Sequence, residues 1–565
     1  MQDADAHPAL NSSFTERRPS VRDSTVSPTP IFPLPLLMVM ATAFLVVVPF
    51  FFLGNPSGHD FEFHVNSWME VLGQWRQGIL YPRWAASAQY GYGEARFIFY
   101  PPASWTLGAT LGALLPWKVV PGVYVWLALT LSGCFMFVLS RQWLDRQDAI
   151  FAAALYAANP YYIVIVYWRS AFAELLAGAL LPLLLLYALR CGEEEEQAII
   201  PVGLVVAAAW LTNIPAAVMV NYSLALLIVI LAVLKRSVRV LLYGALAALL
   251  GASLAAFFLL PAAYERRWVN ISEVLSPGVR PQDNFLFAKI NDPDHNRFNL
   301  LVSLVASAEM IVLAVATFFA RQWRLKRPQL WYSVVGWAAV ALLLNFSFTF
   351  FLWMHLPELR FLQLPWRWLL CLNVTFAVLV TMAWRRWIFR MLICMALLMV
   401  LAFVWHRVQP PWWETADDFG EMLGQQQIGV GYEGTDEYVP AGADSYEVKH
   451  DAPLVALNEN QRATLTEVSV ARWSAESRVF TVQLERPAKL ALRLFNYPAW
   501  SVGVNGEPVA TSTRDVTGQI LIALQPGESR VTVTFKRTWD RILGGIISLV
   551  TALFLAGFFI IRRCR

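Results

Sequence analysis

The chain has 565 residues, of which 57% are hydrophobic and 15% charged, against a charged share of about 25% in soluble proteins. That balance excludes a soluble enzyme, a disordered chain and a secreted disulfide scaffold, and it leaves a polytopic membrane protein. The formal charge of +4 carries no nucleic-acid signature, and no nucleic-acid partner is expected.

In chain order, residues 1–30 are polar and read as a disordered cytoplasmic tail. An apolar run over 31–53 is too long for a signal-peptide core and no cleavage site follows it, so it is expected to stay as an anchor. Further apolar runs cover 119–140, 148–166, 171–189, 198–211, 216–234, 240–260, 298–320, 330–352, 366–384, 387–405 and 542–561. As one helix the block 198–234 would be about 55 Å long, against a hydrocarbon core of about 30 Å, so Asn213-Ile214-Pro215 is expected to break it. The apolar stretch 99–115 is read as a juxtamembrane or re-entrant helix opened by Pro101-Pro102. Left uncrossed, it puts the main Arg and Lys clusters on one side with the N-terminus. The count is then about twelve transmembrane helices, with both termini cytoplasmic. The long outer segments are 54–118 and 262–297 in the 31–405 membrane module, and then 406–541. The last of these alternates with period two, as in Val479-Phe480-Thr481-Val482-Gln483-Leu484, with turns at Asn505-Gly506 and Pro526-Gly527. It predicts a β-sandwich-like domain tethered by the closing span and basic end, 542–565.

The five cysteines lie in apolar runs or beside Arg-rich ends, without metal-ligand spacing, so neither a disulfide nor a zinc site is expected. The first outer segment carries Gly58-His59-Asp60-Phe61-Glu62-Phe63-His64. A carboxylate beside imidazoles at a membrane surface can act as a general base, which makes Asp60, His59 and His64 catalytic candidates. Asp60 equally suits an N-cap for a helix over 61–77. A His-Asp-His metal site would need a further ligand that the sequence does not supply, so no metal or other cofactor is expected. Tyr81-Pro82-Arg83-Trp84 and the run from Tyr90 to Pro102 form an aromatic platform. An interfacial aromatic belt accounts for all of it except Arg83 and Arg96. Arg169 and Glu174 flank a turn between apolar runs. They are there either for function or as a pair that fixes the hairpin. Arg360 and Arg367, within Leu356–Trp368, can hold a phosphate or anchor at the interface. A site facing away from the cytoplasm lacks nucleotide sugars, so any transfer there needs a lipid-linked donor.

These motifs, with Pro82-Arg83-Trp84, Gly91-Tyr92-Gly93, Tyr100-Pro101-Pro102, Gln363-Leu364-Pro365-Trp366-Arg367, the stretch 431–440 and Asn496-Tyr497-Pro498-Ala499-Trp500, resemble bacterial membrane proteins described as 6-pyruvoyl-tetrahydropterin synthase-related. Those are similar to YfhO-like proteins and to the GT-C class of membrane glycosyltransferases. The resemblance implies a GT-C-like fold in a bacterial inner membrane and a polyprenyl-phosphate sugar as donor. It implies an extracytoplasmic glycan, lipid or protein as acceptor and Asp60 as base, with Glu174 joining the catalytic set. Arg83, Arg96, Tyr100, Arg169, Gln363 and Arg367 would bind substrate, with Glu437 and Tyr438 of the β domain. Pterin chemistry is not expected, because a pterin synthase is a soluble zinc enzyme with several His ligands and this chain scatters seven His through a membrane scaffold. Where the family often shows a His between two spans, this chain has Thr212-Asn213-Ile214-Pro215. The alternatives are a lipid-linked saccharide flippase, for which Glu309 and Asn345 are the intramembrane candidates, and a non-catalytic lipid-binding assembly factor.

Overall fold

The computed structural model describes residues 33–407, 413–458 and 465–564; the tail expected over 1–30 lies outside them. Among the described residues nine helices are long and apolar enough to cross a membrane, from Pro33–Leu53 to Trp539–Arg562. Two expected single spans are instead bent pairs. Val238–Leu254 meets Ala256–Trp268 at 78°, and Pro328–Leu343 meets Ser347–His355 at 95°. If each pair is one span the number is eleven. The twelve read from the sequence would also need the shorter apolar helix Glu196–Thr212 to cross.

Each break has an identifiable partner for its freed backbone groups, as an apolar medium requires. At the first bend, Ser548 of the last span accepts from Phe257 N at 2.9 Å and donates to Ser253 O at 3.1 Å. At the second, Asn345 donates to Ala341 O at 2.6 Å, and its carbonyl accepts from Leu286 N at 3.1 Å. Asn345 thus ties a helix break to the loop before Pro293–Ala320. The block 198–234 splits where Asn213 caps the helix Ile214–Lys235, its side chain accepting from Ala216 N at 2.9 Å. The stretch 99–115 contains the helix Pro102–Leu114, 13 residues long. At 1.5 Å per residue that is about 20 Å, short of the hydrocarbon core.

The polar region after residue 412 opens with an amphipathic helix, Ala416–Gln427, started by a Thr415–Asp418 capping box. A two-sheet antiparallel sandwich follows. β1 (Asn55–Pro56) and β2 (Trp413–Glu414) form a separate pair that joins the first outer segment to the start of this region. The sandwich strands are β3 (Val455–Leu457), β4 (Leu465–Trp473), β5 (Ser477–Leu484), β6 (Ala488–Phe495), β7 (Trp500–Val504), β8 (Glu507–Val509), β9 (Ser512–Thr513), β10 (Gln519–Leu524) and β11 (Gly527–Phe535). One sheet runs β3-β6-β10-β9 and the other β4-β5-β11-β7-β8. Asn505 and Gly506 both take positive φ between β7 and β8, the two-residue hairpin that an Asn-Gly pair predicts.

The sandwich core is not built from its own strands alone. Trp84, Tyr92, Ile98 and Phe99 of the first outer segment are buried in it, beside Phe480, Leu492, Ile522 and Val533. Trp84 meets the rings of Tyr497, Trp500 and Phe535 at 5.5 to 5.8 Å. These aromatics therefore serve as interdomain core, and the belt reading does not hold for them. Backbone bonds complete the union: Phe495 N donates to Tyr92 O at 3.1 Å, and Tyr432 N to Ser87 O at 3.0 Å.

Candidate functional site

The first outer segment and the turn between two spans are stitched together by their backbones. Asp60 N donates to Arg169 O at 2.8 Å, and Gly58 N to Ser170 Oγ at 3.0 Å, while that hydroxyl donates to Pro56 O at 2.9 Å. Ser170 takes the left-handed conformation directly after a π-turn, Ile165–Arg169, a local irregularity common at functional sites. Close approach requires a glycine at position 58: a Cβ would lie 2.5 Å from Arg169 C and 2.6 Å from Ser170 N. Gly58→Ala is expected to push the two segments apart. It should cost about 1–3 kcal/mol in thermal unfolding of the detergent-purified protein and lower activity with it.

On this frame the charged side chains converge. Arg169 donates Nη2 to Asp60 Oδ2 at 3.0 Å and Nη1 to Glu174 Oε2 at 2.5 Å. Arg367, 193 residues further along the chain, donates Nε to the same Glu174 oxygen at 3.1 Å. Tyr161 donates to Glu174 Oε1 at 2.7 Å, and Arg169 lies over the Trp366 ring at 5.1 Å. Arg367 also donates to Gln363 Oε1 at 3.2 Å, and Gln363 donates to Val274 O at 2.8 Å, which draws the 262–297 loop into the assembly. Arg169, Glu174 and Arg367 are buried, Asp60 is about one quarter exposed at 26%, and His59 faces solvent at 79%.

Asp60 sits at the start of the helix Phe61–Arg76, but its side chain makes no cap bond. The carboxylate is committed to Arg169 and to His59 Nδ1, 2.8 Å away. The capping role is therefore not taken. Burial alone would raise the Asp60 carboxyl, but the Arg169 guanidinium and the His59 bond outweigh it and hold it well below the usual carboxylate range. The same bond and charge raise His59 above 6.5. In this pair the imidazole is the group whose titration is moved upward, and Asp60 fixes its orientation.

Of the other sequence candidates, Tyr100 stands beside this group. Its ring is 5.8 Å from that of His64, and burial and then the Asp60 charge push its hydroxyl well above the usual tyrosine value. Tyr438 also feels the Asp60 charge and stacks parallel to Phe99 at 6.0 Å. Glu437, half-buried next to it, is pushed up to about 7 by burial, with Glu94 and Asp436 adding to the effect. His64 is buried among Phe63, Trp68 and Phe172, and burial pushes it down to about 4. It behaves as a neutral core ring and is poorly matched to proton transfer near neutral pH. Arg96 does not open to substrate either. It is fully buried, donating to Glu94 at 2.6 Å and Ser67 at 2.9 Å and lying over Phe63 at 4.3 Å. Thr435 N donates to the same Glu94 at 2.9 Å, so Arg96 joins the outer segment to the β region. Arg83 stands apart from the cluster, near Glu476.

Sequence reasoning missed Tyr161 and Trp366, which look like ordinary aromatics at span ends. It also missed the buried Glu70, which accepts from Tyr432 at 2.6 Å and Ser87 N at 3.1 Å. Among the described residues no group of three or more His, Cys, Asp or Glu is placed to hold a metal ion.

Residues 97–410 match the family described as "6-pyruvoyl-tetrahydropterin synthase related domain; membrane protein", and the chain belongs to that family. No curated protein matches it. Two solved structures are similar at low identity. The first is ArnT from Cupriavidus metallidurans bound to undecaprenyl phosphate (TM-score 0.39, 12% identity, covering 65% of this chain and 63% of that one). The second is the Archaeoglobus fulgidus oligosaccharyltransferase in complex with Zn and sulfate (TM-score 0.36, 14% identity, covering 70% of this chain and 53% of that one). The chain thus spans less than two thirds of either neighbour's length.

Proposed function

We propose that this membrane protein is a glycosyltransferase that moves a sugar from a polyprenyl-phosphate donor to an extracytoplasmic acceptor. The observation that carries the reading is one charged assembly in which a solvent-facing His59–Asp60 pair adjoins two guanidiniums, Arg169 and Arg367, gathered on one buried Glu174. His59 Nε2 takes the proton of the acceptor hydroxyl while that oxygen bonds to the anomeric carbon. The bond from that carbon to the phosphate oxygen breaks, and its electron pair leaves on the phosphate. Arg169 and Arg367 stabilise the charge that develops there. Asp60 holds the imidazole in the tautomer that leaves Nε2 free. Tyr100, Gln363, Glu437 and Tyr438 border the sugar and acceptor. The face bearing the β region is extracytoplasmic in this reading, which places both termini in the cytoplasm of a bacterial inner membrane.

Comparative mass spectrometry of glycolipids and surface polysaccharide in a deletion strain tests this. One glycan should lose a sugar and its lipid-linked precursor should accumulate. Wild-type protein should restore it, and an equally abundant Asp60→Asn protein should not. An unchanged glycan inventory in the deletion strain would sink the proposal.

A further inference from the structure

The last span and the second half of the first bent pair enclose a groove of about 360 Å³, within the roughly 300–1,000 Å³ range of small-molecule sites. Its walls are apolar, with Phe257 and Pro261 on one helix and Ile542, Ile546 and Leu549 on the other. Its polar end carries three guanidiniums, Arg83, Arg537 and Arg541. Arg541 is fully engaged, donating Nε and Nη2 to the two oxygens of Glu265 at 2.6 Å each. The other two are not. Arg83 has Glu476 at 3.7 Å and lies over the Tyr81 ring at 5.7 Å, and Arg537 forms no ion pair among the described residues. Burial lowers Arg83, and the charges of Arg541 and Arg537 lower it further, so the three cations crowd one another at the mouth of an apolar cleft.

The height of this mouth is marked by Tyr264 and Trp539, whose rings meet at 4.7 Å; amphipathic aromatics of this kind sit at headgroup depth. An anionic head against Arg83 and Arg537 with an apolar tail between the helices satisfies both ends of the groove. We propose that it holds one anionic glycerophospholipid, its phosphate on Arg83 and Arg537 and one acyl chain along Phe257, Ile542 and Ile546. The site is separate from the transfer assembly: none of the hydrogen bonds or ion pairs of Asp60, Arg169 or Arg367 reaches it.

Gly545 supplies a steric test that leaves the charges intact. It lines the groove, and a Cβ there meets nothing within 4 Å, so Gly545→Leu sets its bulk in the acyl path from a position with room for a side chain to start. The full chain, delipidated in detergent, is titrated with phosphatidylglycerol, phosphatidylcholine or inorganic phosphate and read by native mass spectrometry. One phosphatidylglycerol should be retained by the wild type. Binding should weaken roughly 30-fold in the Arg83→Gln/Arg537→Gln protein, as expected for two interfacial guanidiniums, and also fall in Gly545→Leu. Equal retention by all three proteins, or none by the wild type, overturns the proposal. Equal retention of phosphatidylcholine would deny recognition of head charge. Inorganic phosphate that binds as well as the lipid, and is lost only in the arginine variant, would make this a free-anion site.

Discussion

Glu174→Ala should be the most damaging single change in the membrane module, costing about 3–5 kcal/mol of stability and abolishing transfer. The reason is charge accounting at one buried carboxylate. Glu174 receives Arg169, Arg367 and Tyr161 at 2.5, 3.1 and 2.7 Å. Its removal leaves two guanidiniums facing each other with only Asp60 to share. Glu174→Gln keeps an oxygen for Tyr161 but not the charge, and should fall between wild type and alanine. A Glu174→Leu/Arg367→Leu double variant should unfold at a higher temperature than Glu174→Ala, because it deletes a cation together with its anion. If thermal unfolding of the purified proteins ranks the double variant lowest, charge pairing on Glu174 is not what holds this cluster together.

The second large effect concerns proton transfer. Asp60→Asn should lower kcat/KM by about 10²–10⁴-fold, the range typical for losing a positioned acid–base group. It should also move the pH profile in a defined direction. Asp60 raises His59 above 6.5, and a base works only when deprotonated. Wild-type activity should therefore fall as pH drops through a value above 6.5. Without the Asp60 charge the imidazole loses its proton at lower pH, so the residual activity of the variant should keep its plateau further into acid. A merely structural role for Asp60 would lower the profile without sliding it. An acidic limb that stays in place would assign the titration to another group, with Glu437 the nearest in pKa at about 7.

The core of the candidate site was legible because charge beside an apolar run is expensive and stands out in sequence. Arg169 and Glu174 stand out on that ground and Arg367 as a phosphate holder, and the fold brings both arginines onto the Glu174 carboxylate. Aromatics gave no such discrimination. Tyr161, Trp366 and Trp84 have the composition of a headgroup belt, yet one bonds Glu174, one lies under Arg169 and one fills the sandwich core. Arg96 failed for the opposite reason. Its cost was visible, but its partners Glu94 and Ser67 make it a buried tie, and no local pattern tells a tie from a ligand. The bends at 78° and 95° were also hidden. Hydropathy reads a continuous apolar stretch, while the first break is bridged by a serine from a remote helix and the second by Asn345 and the backbone of a distant loop.

The short β1–β2 pair has a consequence for how the protein is made. Asn55 and Pro56 find their strand partners in Glu414 and Trp413, and Trp84 and Tyr92 wait for β6, β7 and β11. During synthesis the first outer segment must therefore stay unfinished until most of the spans have been inserted. Its aromatic surface is then left uncovered for the length of translation, the condition under which a nascent chain depends on chaperones and insertase machinery to avoid premature association.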